Sequence, residues 1–232
     1  MRENSEIRRF AREVLAGKWG NTVIAFLIYL GITFFLSSIP AVGQVIFLII
    51  IGPLAFGLTL YFLTLVRKGE SDFNYIFKAF NFSGKDLGLF GRTLGVYLLA
   101  ELYILLWTLL LIVPGIIASY SYSMILFIYV DNPEMGISET LRKSKEMMYG
   151  YKTKLFLLHL SFIGWGLLCI LSFGIGFLWL GPYMFTSLSV FYEELKKAHG
   201  IELVSDKKEK DVKEEKKEEL KVGGVVDDSE GL

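Results

Sequence analysis

Glu101 is the one acidic residue deep inside an uncharged stretch of this chain, and His159 is the one histidine in such a stretch. An ionisable group in an apolar run is costly unless it faces protein or water, so it marks a helix contact, a proton relay or a substrate path. At 1.5 Å per residue, Glu101 lies about 13 Å beyond Arg92 and His159 about 8 Å past Lys154. These depths allow a Glu101 to His159 contact if those two cations mark one interface. Tyr129 and Ser123, on the helix returning from Pro114, are the other hydrogen-bonding candidates. Three readings of Glu101 stand: a protonated carboxyl holding two helices, since burial disfavours the charged form of a carboxyl group; a group in proton or substrate passage; or a group facing a water-filled vestibule. His159 has the simpler reading of a ring bonded to water or to a carbonyl.

No other constellation invites chemistry. The chain has no Walker loop, HExxH, cysteine pair or Gly-x-Ser-x-Gly. Its histidines, His159 and His199, and its single cysteine, Cys169, form no local metal motif. Asp131-Asn132-Pro133 reads as an Asx-type turn ending a helix. The expectation is no catalytic residue, no metal, no cofactor and no enzymatic activity.

The elements that must carry Glu101 and His159 follow from the charge gaps. Runs from Trp19 to Val66, Thr93 to Val130 and Leu155 to Tyr192 hold none of the 24 Lys and Arg residues. With 53% hydrophobic residues and a mean hydropathy of +0.48, the chain is too apolar for one soluble domain. A span needs about 20 apolar residues, so runs of 48, 38 and 38 residues each hold two helices. The predicted fold class is an all-α membrane protein of six transmembrane helices in three hairpins. The reversals are expected at Pro40-Ala41-Val42-Gly43, Pro114-Gly115 and Gly174-Ile175-Gly176. A turn at Pro114 leaves only Ile116 to Val130 for the fourth span, so that span is short or the turn lies elsewhere.

Positive charge fixes the orientation. The three expected outer turns carry no Lys or Arg, which puts both termini in the cytoplasm. The first apolar run is too long for a signal peptide and is read as retained. Residues 1–198 form the membrane domain, with pseudo-repeats of about 1–69, 70–133 and 134–198. Residues 199–232 form a charged cytoplasmic tail with too few apolar residues to fold.

Each hairpin is preceded by an amphipathic segment. Ile7, Phe10, Ala11, Val14 and Leu15 oppose Arg8, Arg9 and Arg12 on a helix. Phe73, Ile76, Phe77 and Phe80 form a shorter counterpart. Ile137, Leu141, Met147 and Met148 oppose Arg142, Lys143 and Lys145. Such helices lie in the interface, apolar face toward acyl chains and basic face toward anionic headgroups. Gly17, Gly84 and Gly150 recur near the hairpin entrances, and Gly52-Pro53 with Phe56 and Phe62 matches Gly181-Pro182 with Phe185 and Phe191 at a constant offset. The repeat relates the first and third hairpins most closely.

Val113-Pro114-Gly115-Ile116-Ile117, Tyr122-Ser123-Met124, Asp131-Asn132-Pro133, Phe162-Ile163-Gly164-Trp165, Trp179-Leu180-Gly181-Pro182-Tyr183 and Phe191-Tyr192 carry a resemblance. Over about residues 5 to 196 the chain resembles a family of bacterial integral-membrane proteins catalogued as domain of unknown function 975. The resemblance implies a prokaryotic plasma-membrane protein and carries over no catalytic or ligand residue. The leading expectation is a non-enzymatic protein that organises or senses lipid or supports a membrane partner. Its partners would be membrane lipids, with anionic headgroups on the basic segments, a membrane protein or a second copy; nucleic acid is not expected. The alternative is a small transporter or channel subunit using Glu101.

Overall fold

The computed structural model describes residues 1–81 and 88–201. The expected entrance glycine Gly84 and the charged tail beyond residue 201 lie outside them. The described residues are helical, without a strand: α1 (Asn4–Leu15), α2 (Trp19–Ser37), α3 (Val42–Lys68), a 3₁₀ helix (Phe73–Phe80), α4 (Leu89–Leu110), α5 (Ile112–Tyr122), α6 (Ile125–Asp131), α7 (Ile137–Met147), α8 (Lys152–Leu160), α9 (Ile163–Leu171) and α10 (Phe177–Ala198).

Two of the three expected reversals fall where the sequence places them. The first occupies residues 38–41, with Ala41 at φ 58°, and the third residues 172–176, with Gly174 at φ 86°. The second differs. The chain turns at Leu111, which is extended at φ −161°, and Pro114 falls in the first turn of α5. A proline there removes an N–H that has no intrahelical acceptor, so it starts a helix without breaking one. The returning segment is thereby lengthened to Ile112–Asp131, and the short fourth span disappears.

Five segments are long and apolar enough to cross a membrane: α2, α3, α4, α5 with α6, and α8 with α9. The expected sixth, α10, does not meet that measure although it has 22 residues. It carries Thr186, Ser187 and Ser189, all fully buried, because it runs through the middle of the protein. Each hydroxyl donates to a carbonyl one turn back, Thr186 to Pro182 at 2.8 Å, Ser187 to Tyr183 at 2.8 Å and Ser189 to Phe185 at 3.0 Å. Burial without an unpaired group follows.

Around α10 the core is aromatic. The Phe62 ring of α3 stacks on Phe185 at 5.5 Å, and Phe26 of α2 lies 6.0 Å from the same ring. Gly181 lets Phe26 approach, since a Cβ there would overlap its ring. Gly52 plays the matching part in α3, where a Cβ would crowd Tyr97 and the α4 backbone. Both glycines of the repeated Gly-Pro pair are thus points of helix contact. Gly57 admits the Ile76 carbonyl of the 3₁₀ helix against α3. The entrance glycines Gly17 and Gly150 share a left-handed conformation, φ 74° and 81°, each two residues before its helix.

All three predicted amphipathic segments form helices, but apart from the exposed Phe77 their apolar faces turn mainly toward the protein and not outward as expected. Ile7, Ala11 and Leu15 of α1 have no exposed surface, nor do Ile76 and Ala79, and Leu141 and Met147 of α7 are buried. They complete the protein core. The apolar surface left outward belongs to the long helices: Phe34, Val42, Leu105, Leu109, Ile112, Leu171 and Phe173 are all mostly exposed. So extensive an apolar exterior is consistent with a membrane protein.

Ser144 of α7 bridges the break between α5 and α6. Its hydroxyl donates to the Ser121 carbonyl at 2.8 Å and accepts from the Met124 N–H at 3.3 Å, at a site with no exposed surface. Ser144→Ala leaves a buried carbonyl and N–H without a partner, and should cost about 1–3 kcal/mol. Thermal unfolding in detergent would read this as a lowered midpoint; an unchanged midpoint would count against the bridge.

Candidate functional site

Each of the three apolar runs ends on a charged residue, and those three residues meet. Arg67 closes α3, Asp131 closes α6, and Glu193 follows Tyr192 on α10. Arg67 holds Asp131 through both terminal nitrogens, Nη1 to Oδ1 at 2.6 Å and Nη2 to Oδ2 at 3.0 Å. Its Nε donates to Glu193 Oε1 at 2.7 Å. Lys196 Nζ donates to Asp131 Oδ2 at 2.8 Å, and the Tyr192 hydroxyl donates to the same oxygen at 3.0 Å. Two cations and two anions balance the node. Their side chains are only 6–12% exposed, so water offers little screening and the geometry decides whether the cluster is favourable.

A looser pair extends it. The Arg2 backbone N–H donates to Glu194 at 3.0 Å, with its guanidinium 3.5 Å from the same carboxylate and Lys197 also at 3.5 Å. Between the two groups lies a cavity of about 200 Å³ lined by Arg2, Phe10, Arg67, Glu193, Glu194 and Lys197. The carboxylates are taken up by cations, so the arrangement fixes helix ends and offers no free base. Among the described residues no group of three His, Cys, Asp or Glu side chains is placed to hold a metal.

The residues expected to do chemistry are dispersed. Glu101 is exposed on α4 beside Tyr97, and the contact with His159 that the depths allow does not form. His159 pairs with the Tyr120 hydroxyl, its Nδ1 3.3 Å away. Ser123 donates to the Tyr120 carbonyl of its own helix at 2.9 Å. Tyr129 is fully buried with its ring 5.9 Å from Phe56. Similar depth along two helices did not bring Glu101 and His159 together because depth leaves the azimuth free, and each helical residue turns by about 100°.

The basic candidates stay outward more faithfully. Arg9 and Arg142 are exposed, each in a helical pair with Glu13 and Glu146 at 3.7 and 3.3 Å, and such exposed pairs contribute little. Arg12 and Lys145 are exposed; Arg8 and Lys143 are half-buried. Lys145 and Lys152 overlook a second cavity of about 230 Å³ walled by Trp107, Ile117, Ala118 and Tyr122. A third, of about 380 Å³, lies between α1, the start of α2, and the α9–α10 hairpin.

Sequence reasoning missed Arg67, Glu193 and Lys196 and read Asp131 as a turn residue. The signal was available: the three node residues are the first charges after the three runs. Arg67 and Asp131 are 64 residues apart and Arg67 and Glu193 are 126 apart, close to one and two lengths of the suspected repeat.

A family model described as protein of unknown function (DUF975) matches residues 1–117 and 108–199. No curated protein and no solved structure gives a match.

The node makes a sign-specific prediction. Asp131→Leu leaves Lys196 without its carboxylate and should destabilise the protein by about 3–5 kcal/mol. Adding Lys196→Met restores charge balance through the remaining Arg67–Glu193 pair, so the double variant should unfold later than the single one. Equal unfolding midpoints for single and double variants would show that Asp131 and Lys196 are uncoupled.

Proposed function

We propose that this chain, which belongs to the DUF975 family of proteins of unknown function, is a non-enzymatic multi-pass membrane protein that organises anionic lipid around itself. In this reading α10 is the sixth span, both termini lie in the cytoplasm, and the membrane is the plasma membrane. The lysine- and arginine-free reversals at 38–41, 111 and 172–176 support that orientation.

One observation carries the reading. The amphipathic helices α1 and α7 spend their apolar faces on the protein core and leave Arg9, Arg12, Arg142 and Lys145 exposed, on a body whose long helices bear the exposed apolar girdle. A cation at such a boundary gains about 1 kcal/mol from an anionic surface. The helices are held by the protein, so the basic groups are positioned whether or not lipid is present, and lipid binding need not order them.

The transporter alternative draws less support. Glu101 stands on the exposed side of α4 and lines none of the three cavities described above.

The test is the lipid that copurifies with the full-length protein in mild detergent. Wild type should carry anionic phospholipid several-fold enriched over the bulk membrane. An Arg9→Gln, Arg142→Gln, Lys145→Gln variant should fall to the bulk ratio with its unfolding midpoint nearly unchanged, because exposed charges contribute little to stability. A wild-type protein with bulk lipid composition would sink the proposal.

A further inference from the structure

The largest of the three cavities, about 380 Å³, is of a size that holds a small ligand, and its lining is unusual in this protein. Trp19, Trp165 and Trp179 form its walls with the buried Cys169, and Arg12 and Tyr183 close one end. Three of the chain's four tryptophans thus surround one space. Trp19 begins the first long apolar helix, and tryptophan favours the depth where acyl chains meet headgroups.

The polar end has spare positive charge. Arg2, Arg9, Arg67, Arg92 and Arg142 each lie within 4 Å of a carboxylate. Arg8 and Arg12 have no carboxylate partner among the described residues. They sit one turn apart on α1, and both charges bear on the Tyr183 hydroxyl. Arg12 Nη1 donates to that oxygen at 3.3 Å, and the hydroxyl donates to the Arg8 carbonyl at 3.3 Å. Arg8 lies outside the cavity lining: its Nη1 donates to the Ser161 carbonyl at 3.5 Å and its buried Nε has no hydrogen-bond partner, so its charge adds to the positive potential near Tyr183 without a counter-ion. A guanidinium fork with open donors matches phosphate oxygens.

We propose that this cavity is a binding site for one anionic phospholipid, with an acyl chain between the tryptophans and the phosphate on Arg12. The apolar walls select a chain and Arg12, which has no carboxylate partner among the described residues, selects a negative headgroup; a free phosphate would leave the walls uncovered, and a neutral zwitterionic lipid would leave the charge unbalanced. This rests on the lipid-organising reading above and deepens it from a diffuse belt to a single site. The α1 helix then serves twice, since Ile7, Ala11 and Leu15 anchor it to the core while Arg12 faces the lipid.

The tryptophans supply the test. In a Trp107→Phe background, all remaining indoles line the cavity. The full-length protein is reconstituted in phosphatidylcholine bilayers containing increasing amounts of phosphatidylglycerol or phosphatidylcholine with brominated acyl chains, and indole quenching is followed. Brominated phosphatidylglycerol should reach half its effect at about one tenth the mole fraction needed by brominated phosphatidylcholine, the scale of one charge-assisted contact. Arg12→Gln should bring the two curves together, whereas the Arg9, Arg142, Lys145 variant should keep them apart. Coincident curves in the wild type, or a preference that survives Arg12→Gln, would overturn the site even if copurified lipid is anionic. As a measurement independent of the Arg12 variant, modification of Cys169 by a small methanethiosulfonate should slow about tenfold when phosphatidylglycerol is added and not when soluble glycerol phosphate is added. Equal rates with and without the lipid, or slowing by the soluble phosphate alone, would count against the lipid.

Discussion

The cost of burying charge shapes the molecule at the points where three apolar runs stop. Arg67, Asp131 and Glu193 are the first charges after those runs, and the fold brings them within hydrogen-bonding distance of one another. Each needs a counter-charge because each is nearly buried. A bidentate arginine between two carboxylates, with Lys196 and Tyr192 on the remaining side of Asp131, satisfies the group in a way a single pair would not. The ends of α3, α6 and α10 are therefore held in register by electrostatics while their bodies are held by packing.

Given that tie, the short amphipathic helices have a different role from the one their composition implies. A basic amphipathic segment ahead of an apolar run reads as a membrane-surface helix, yet here the space between the long helices is filled by the apolar faces of α1, the 3₁₀ helix and α7. An apolar stripe along a helix means that one face will be covered; it does not say whether lipid or protein will cover it. The deciding quantity is whether the long helices leave unfilled volume near their charged ends, and that depends on their crossing geometry. Close approaches at Gly52, Gly57 and Gly181 set that geometry.

Local signals were legible and angular ones were not. The helical class, the reversals at 38–41 and 172–176 and the helices before each hairpin follow from composition, breakers and spacing. The turn near Pro114 was misplaced because proline both ends helices and begins them, and only the extended Leu111 backbone separates the two. Glu101 was singled out by its rarity in an apolar run, but rarity says nothing of azimuth, and it faces outward. Ser144 escaped attention because a serine on a polar-looking helix carries no mark of bridging two backbone groups in another segment. The node residues were visible as run boundaries, yet a boundary charge is ordinarily solvated, and their burial depends on three distant segments meeting.

The helix α10 shows why apolarity and burial are separate properties in such a fold. Lipid-facing helices must be apolar on their outer surface, so α2, α4 and α9 read plainly as apolar. The stretch of α10 that is packed among other helices can carry hydroxyls, provided they bond within it. Thr186, Ser187 and Ser189 do so, and small side chains at these positions allow α1 and α3 to pack closely. The least hydrophobic of the long helices is thus buried over most of its length from Leu180 to Lys196, and the same helix presents Tyr183 to α1 and Glu193 to α3. A change that made α10 more apolar would improve its likeness to a membrane span while removing the groups that tie the node to the Arg12 cavity.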